Sequence, residues 1–126
     1  PYGPMHQKAA HLLGIKRNLT LKGDGGEAEI RPDAESVLQW VEGEQLSEYE
    51  WPRIVGKRFV KEDVLDPQML LDVWKGSEEH EYGQAAIIST LAVTLRLLGE
   101  DGDQAALTEK AEALWSTRNI EQFLPA

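Results

Sequence analysis

The sequence predicts an α/β fold built from short strands and about four to five helices. Near the N-terminus, a helical pattern leads directly into an apolar strand pattern. Residues 36–49 are rich in β-branched and aromatic residues on both sides of a glycine, as is typical of paired strands. From residue 66 onward, apolar residues recur at helical spacing between capping residues and glycines.

The first predicted elements are a helix over Pro4–Leu13 and a strand over Ile15–Lys22. Pro4 suits the first turn of a helix, and Leu19 and Leu21 share one face of the strand because side chains alternate along it. We expect the helix to turn its apolar residues inward, namely Met5, Ala9, Leu12 and Leu13.

A β-hairpin is predicted over Ser36–Tyr49, with its turn at Glu42-Gly43-Glu44. Trp51-Pro52 ends it, because proline donates no hydrogen bond to a sheet. A basic loop is expected over residues 52–65, with four cations: Arg53, Lys57, Arg58 and Lys61.

The second half, residues 66–126, predicts three helices: Asp66–Gly76, Glu81–Gly99 and Asp103–Asn119. Asp66-Pro67 is a typical helix start, with a capping carboxylate and proline at the first helical position. The middle helix is apolar almost all round, which favours a central position. Its expected core stripe is Ala85, Ile88, Leu91, Ala92, Leu95 and Leu98.

The composition indicates one domain, or a fragment of one, over residues 1–126. Hydrophobic residues make up 41% of the 126 residues, which is ordinary for a globular chain. A net charge of −9 disfavours nucleic acid and anionic membranes as partners. With no cysteine and no apolar stretch long enough to span a bilayer, the chain is expected in the cytoplasm without a membrane partner.

The segment Leu19–Ile30 carries the most specific chemistry, with three glycines in four residues followed by spaced carboxylates. Glycines at 23, 25 and 26 allow positive φ or let an anion such as phosphate approach the peptide N–H groups. On an extended exit, Glu27 and Glu29 would share a face and hold Mg²⁺ against a diphosphate. The alternative is a plain β-hairpin whose glycines only serve the turn.

The basic loop offers a second interpretation. Arg53, Lys57, Arg58 and Lys61 are flanked by Trp51 and Phe59, an arrangement that would let cations contact a nucleic-acid backbone while the aromatic rings stack on bases. The structural alternative is that these cations pair with neighbouring carboxylates.

Two runs, 1–14 and 19–29, resemble the anthranilate phosphoribosyltransferase-like proteins, glycosyltransferase family 3. The resemblance implies the C-terminal part of a phosphoribosyltransferase-like α/β domain, with phosphoribosyl diphosphate, Mg²⁺ and an unknown acceptor as its ligands. It places the diphosphate at a loop formed by Lys22, Gly23, Asp24, Gly25 and Gly26. It places Mg²⁺ at Glu27, with Glu29 as a substitute ligand.

The chain departs from the family pattern in two ways. Lys22 stands where the family has histidine, and the family's aspartate–glutamate pair reads Glu27-Ala28. This resembles a divergent branch, some members of which bind nucleic acid. The family's upstream diphosphate loop, acceptor domain and dimer contact are not in these residues, so we expect a C-terminal fragment that is inactive alone. A purely structural or oligomerisation role is the third possibility.

Overall fold

The computed structural model describes residues 2–59 and 66–122. One helix and a small three-stranded sheet make up the first half, and three helices make up the second. This mixture confirms the predicted α/β class. In chain order the elements are α1 Gly3–Leu12, β1 Arg17–Thr20, β2 Ser36–Glu42, β3 Gln45–Trp51, α2 Pro67–Lys75, α3 Glu81–Leu98 and α4 Gln104–Ser116.

The three strands form one antiparallel sheet in the order β1-β2-β3. Glu42 pairs with Gln45 across the two-residue turn of the hairpin, and Ser36 pairs with Trp51 at its other end. Gly43 has a φ of 63°, a conformation that tight hairpin turns require and glycine adopts without strain. The predicted hairpin is confirmed, and β1 is shorter than the predicted strand.

The core lies between the sheet and helices α3 and α4. From the sheet side come Leu38, Trp40 and Trp51, each at most 2% exposed. From the helices come small or branched residues that let the layers approach closely, such as Ala92 and Ala111, both 0% exposed. This packing holds the loop between β1 and β2 against α3.

Helix α1 turns a different face inward than the sequence predicts. In α1 the buried residues are Gln7 and Ala10, while the expected apolar residues are exposed. The Gln7 side-chain amide donates to the backbone oxygens of Trp40 and Ser47, both at 2.7 Å, so its burial is compensated by hydrogen bonds. The prediction that the apolar residues of α1 face inward is therefore wrong.

In α3 most of the predicted stripe is confirmed, because Ala92 is buried and Ile88, Leu91 and Leu95 pack against the core. The buried residues are Ala86, Ser89, Ala92 and Val93, and Leu98 is 74% exposed. Apolar residues surround this helix almost completely, so periodicity alone does not identify which side meets the sheet. In the part of the chain that the structure describes, no helix is long and apolar enough to cross a membrane.

Candidate functional site

A groove of about 720 Å³ lies where the start of α1, the end of β1, the loop over residues 21–35 and the start of β2 meet. Lys22, Gly23, Asp24 and Gly26 line it, so four of the five predicted diphosphate-loop residues come together at one cavity. Four further lining residues carry ionisable groups and were not predicted to belong to a site: Tyr2, His6, Arg31 and Glu35.

The glycine loop closes on itself. The Gly23 N–H donates to the backbone oxygen of Glu27 at 2.7 Å, and Gly26 has a φ of 101°. A Cβ at Gly23 would lie 2.9 Å from Glu27 Oε2, and one at Gly25 would lie 3.1 Å from Glu27 Oε1. The space that these two glycines leave is therefore taken up by the carboxylate of Glu27.

The segment that leaves this loop is not a strand, and residues 21–35 contain no regular element. The expectation of an extended exit is therefore wrong, and so is the plain hairpin alternative. The Ile30 N–H donates to Thr90 Oγ1 at 3.0 Å, which fixes the exit of the loop to α3 instead of to a neighbouring strand. Side-chain alternation along a strand therefore gives no reason for Glu27 and Glu29 to share a face.

Glu27 and Glu29 nevertheless interact. Partial burial is the main cause that raises the pKa of Glu29, and the negative charge of Glu27 raises it further. Within residues 2–59 and 66–122, no three His, Cys, Asp or Glu residues are grouped as a metal cage. Mg²⁺ commonly uses one or two carboxylates together with water and substrate phosphates. Neither Glu27 nor Glu29 lines the groove, so the structure does not bring the two predicted Mg²⁺ ligands to the cavity of the predicted diphosphate loop.

Arg31 is the cation that sequence reasoning missed. It donates from Nη1 to Asp24 Oδ1 at 2.7 Å and from Nη2 to Asp33 Oδ1 at 3.4 Å. Burial lowers the pKa of Arg31, but the two carboxylates outweigh it and leave the pKa raised. The only sequence signal was a lone arginine shortly after the glycine run, a pattern too common to indicate a site.

Asp33 and Tyr82 form the buried side of this cluster. The Asp33 side chain is 1% exposed, and its Oδ2 accepts the backbone N–H of Phe59 at 3.1 Å. Burial and, after it, the charge of Asp33 raise the pKa of Tyr82. The Tyr82 ring packs 5.3 Å from the Phe59 ring, measured between centroids. Asp33 thus connects the glycine loop, through Arg31, to the basic loop.

The basic loop is a separate surface. Arg53, Lys57 and Arg58 are exposed, and none of them lines the groove; Lys61 lies outside the described residues. Lys57 Nζ pairs with Glu81 at 2.8 Å, as the structural alternative predicts for one of these cations. Trp51, at 2% exposed, is buried in the core and is not available to stack on a base.

A scan of the chain against protein-family models gives no match, and a sequence search of curated proteins gives none either. The family resemblance therefore rests on the motif residues alone.

Proposed function

We propose that this chain is the C-terminal portion of a cytoplasmic phosphoribosyltransferase-like protein that uses phosphoribosyl diphosphate and Mg²⁺. The observation that carries the proposal is the groove at which Lys22, Arg31 and the glycine loop meet. Its volume of about 720 Å³ falls within the range of small-molecule sites, roughly 300–1,000 Å³.

The first turn of α1 adds a second feature that favours an anion. Tyr2 and Gly3 line the groove beside Pro4, which has no N–H to donate, and the N-terminus of this helix has no side-chain cap. Backbone N–H groups at a helix start are partly positive and favour phosphate. Together with Lys22 and Arg31, they would bind the diphosphate and neutralise its charge as it leaves the anomeric carbon of the ribose.

By the family resemblance, Glu27 and Glu29 would hold Mg²⁺ together with phosphate oxygens and water, and since neither lines the groove, their side chains would have to turn toward it. The ion would supply positive charge at the diphosphate. Phosphate contact with the peptide groups at Gly23 and Gly25 requires the Glu27 carboxylate to rotate away from them, because it occupies that space. Binding of the diphosphate is thereby coupled to a change in Glu27. The acceptor site and a homodimer contact would come from an N-terminal part of the same protein.

Calorimetry of the full-length protein with phosphoribosyl diphosphate and Mg²⁺ tests the proposal. We expect Lys22→Gln to weaken binding about fivefold or more, because it removes one cation from the groove. Lys75→Gln, an exposed lysine at the end of α2, is the matched control. No heat of binding in the wild type, under conditions where an active family enzyme binds, would contradict the proposal.

One observation favours the nucleic-acid alternative: Arg53 and Arg58 are exposed on a loop outside the groove. A gel-shift titration at two salt concentrations distinguishes the two functions, because binding to a nucleic-acid backbone weakens steeply as salt rises. If this alternative holds, Arg53→Gln reduces the magnitude of the salt slope by about 1 and Lys22→Gln leaves it unchanged. A structural role predicts binding in neither experiment.

A further inference from the structure

We infer that Arg31 is a phosphate-binding side chain of the groove. The buried carboxylate of Asp33 positions Arg31, and the exposed carboxylate of Asp24 occupies the place where a phosphate would bind it. The inference concerns the same groove as the proposed function and names the group that would recognise a phosphate there. It rests on the unequal burial of the two carboxylates and on the position of the guanidinium.

The two carboxylates that contact Arg31 differ sharply in exposure. The side chain of Asp33 is 1% exposed and that of Asp24 is 59% exposed, while the Arg31 side chain itself is 21% exposed. Asp33 is held on its other oxygen by the Phe59 N–H, so it cannot leave without breaking that hydrogen bond. Asp24 lies on the glycine loop and can be exchanged for another anion.

The position of the pair makes such an exchange productive. Both Arg31 and Asp24 line the groove, next to Lys22 and the peptide groups of the glycine loop. Exposed ion pairs are weak, whereas charge-assisted hydrogen bonds from a guanidinium to a phosphate are strong. A phosphate that replaces Asp24 would therefore accept from the Nη1 end, while Nη2 stays on Asp33, and would gain the charge of Lys22.

Asp33 holds Arg31 in place and has a different role from Asp24. Its carboxylate keeps the Nη2 end of the guanidinium against the loop, which leaves the Nη1 end directed at Asp24. Glu35 also lines the groove and adds negative charge, so a diphosphate needs the cations uncovered in order to bind. Asp33 is thus a positioning residue, and Arg31 is the residue that contacts the ligand.

The test is calorimetric titration of this chain with inorganic pyrophosphate at low salt and without Mg²⁺. We expect Asp24→Asn to bind about threefold or more tightly than the wild type, because the competing charge is gone. Arg31→Gln is expected to bind about tenfold or more weakly. Arg17→Gln removes an exposed arginine that does not line the groove and should bind as the wild type does.

A second pair of variants separates recognition from folding. Arg31→Lys keeps the charge but loses the planar guanidinium that contacts Asp33 at one end and would contact the phosphate at the other, so it should restore only part of the affinity lost in Arg31→Gln. Circular dichroism of each variant reports whether it folds. The inference is overturned if Asp24→Asn binds pyrophosphate no better than the wild type, including the case in which neither binds.

The same substitutions made in the full-length protein and titrated with phosphoribosyl diphosphate and Mg²⁺ keep the two conclusions apart. If pyrophosphate binding follows Asp24 and Arg31 while phosphoribosyl diphosphate does not bind, Arg31 is a phosphate site and the transferase proposal fails. If phosphoribosyl diphosphate binds equally to all variants, the proposed function stands and the role of Arg31 is refuted.

Discussion

Arg118 joins helices α2 and α4, and its replacement gives the sharpest prediction for the stability of this chain. Its guanidinium carbon lies 3.7 Å from the centroid of the Trp115 ring and 5.4 Å from that of Trp74. From Nη2 it donates to the backbone oxygen of Trp74 at 2.6 Å, and from Nη1 to that of Trp115 at 2.7 Å. One side chain therefore binds the last turns of two helices.

The magnitude follows from these contacts. Stacking of a partly buried guanidinium such as that of Arg118 on an aromatic ring is worth about 1 kcal/mol. A hydrogen bond from a charged donor is worth about 1.5 kcal/mol or more, and water replaces part of it once the side chain is gone. We expect Arg118→Ala to lower the free energy of unfolding by about 2 kcal/mol, which at this chain length is a drop of about 6–10 °C in Tm.

Urea denaturation of this chain, followed by tryptophan fluorescence and circular dichroism, measures the loss. Arg118→Lys keeps the charge and loses the planar donors, so it should recover less than half of the stability. Arg53→Ala, at an exposed position, is the control and should cost less than about 0.5 kcal/mol. A loss at Arg118→Ala as small as that of the control would refute the reasoning.

Three further predictions concern the fold and its pH dependence. Gln7→Leu should lower the free energy of unfolding, measured by urea denaturation, by about 1–3 kcal/mol, because it removes the donor to the backbone oxygens of Trp40 and Ser47. An unchanged urea midpoint would contradict this prediction. Gly3→Ala should lower Tm, because the added Cβ would lie 2.4 Å from Oε1 of the buried Gln39, and this outweighs the helix-favouring effect of alanine. A raised Tm would show that the Gln39 side chain moves aside easily. Because the pKa of Glu29 is raised, the folded state binds the proton of this carboxyl group more tightly than the unfolded state does. The stability that the bound proton contributes is present below the ordinary pKa of 4.5 and is lost as the pH rises through the raised pKa. Glu29→Gln should therefore be more stable than the wild type at about pH 7 and similar to it near pH 3 in urea denaturation; equal stability at about pH 7 would contradict the shift.

Local signals were sufficient for much of the fold. Asp66 accepts the N–H of Gln68 at 2.9 Å, and Gly76 ends the same helix with a φ of 79°, as a capping carboxylate and a terminal glycine predict. The hairpin turn at Gly43 is likewise encoded within a few residues. Such features depend on neighbours in sequence, and a single sequence contains them.

The candidate site depends on contacts that are distant in sequence. Ile30 is fixed by Thr90, and Asp33 by Phe59, so the path of the loop is determined by residues from α3 and the basic loop. The residue types in the loop do not specify these partners. The sequence therefore predicted which segment would line a groove, but it missed Arg31 and gave the wrong conformation around Glu29.

The glycines of the loop have two different physical roles, and this difference bears on the function. In this loop only Gly26 has a positive φ, so conformation explains that glycine and neither Gly23 nor Gly25. Space is tight at Gly23, where a Cβ would lie 3.1 Å from the backbone oxygen of Glu27 as well as against its carboxylate, whereas at Gly25 a Cβ would meet only the end of that exposed side chain. Glycine costs conformational entropy on folding, and no hairpin here requires it at these two positions. At both glycines an oxyanion can approach the backbone closely. In this structure the oxyanion is the carboxylate of Glu27, and in the proposed function it is a phosphate.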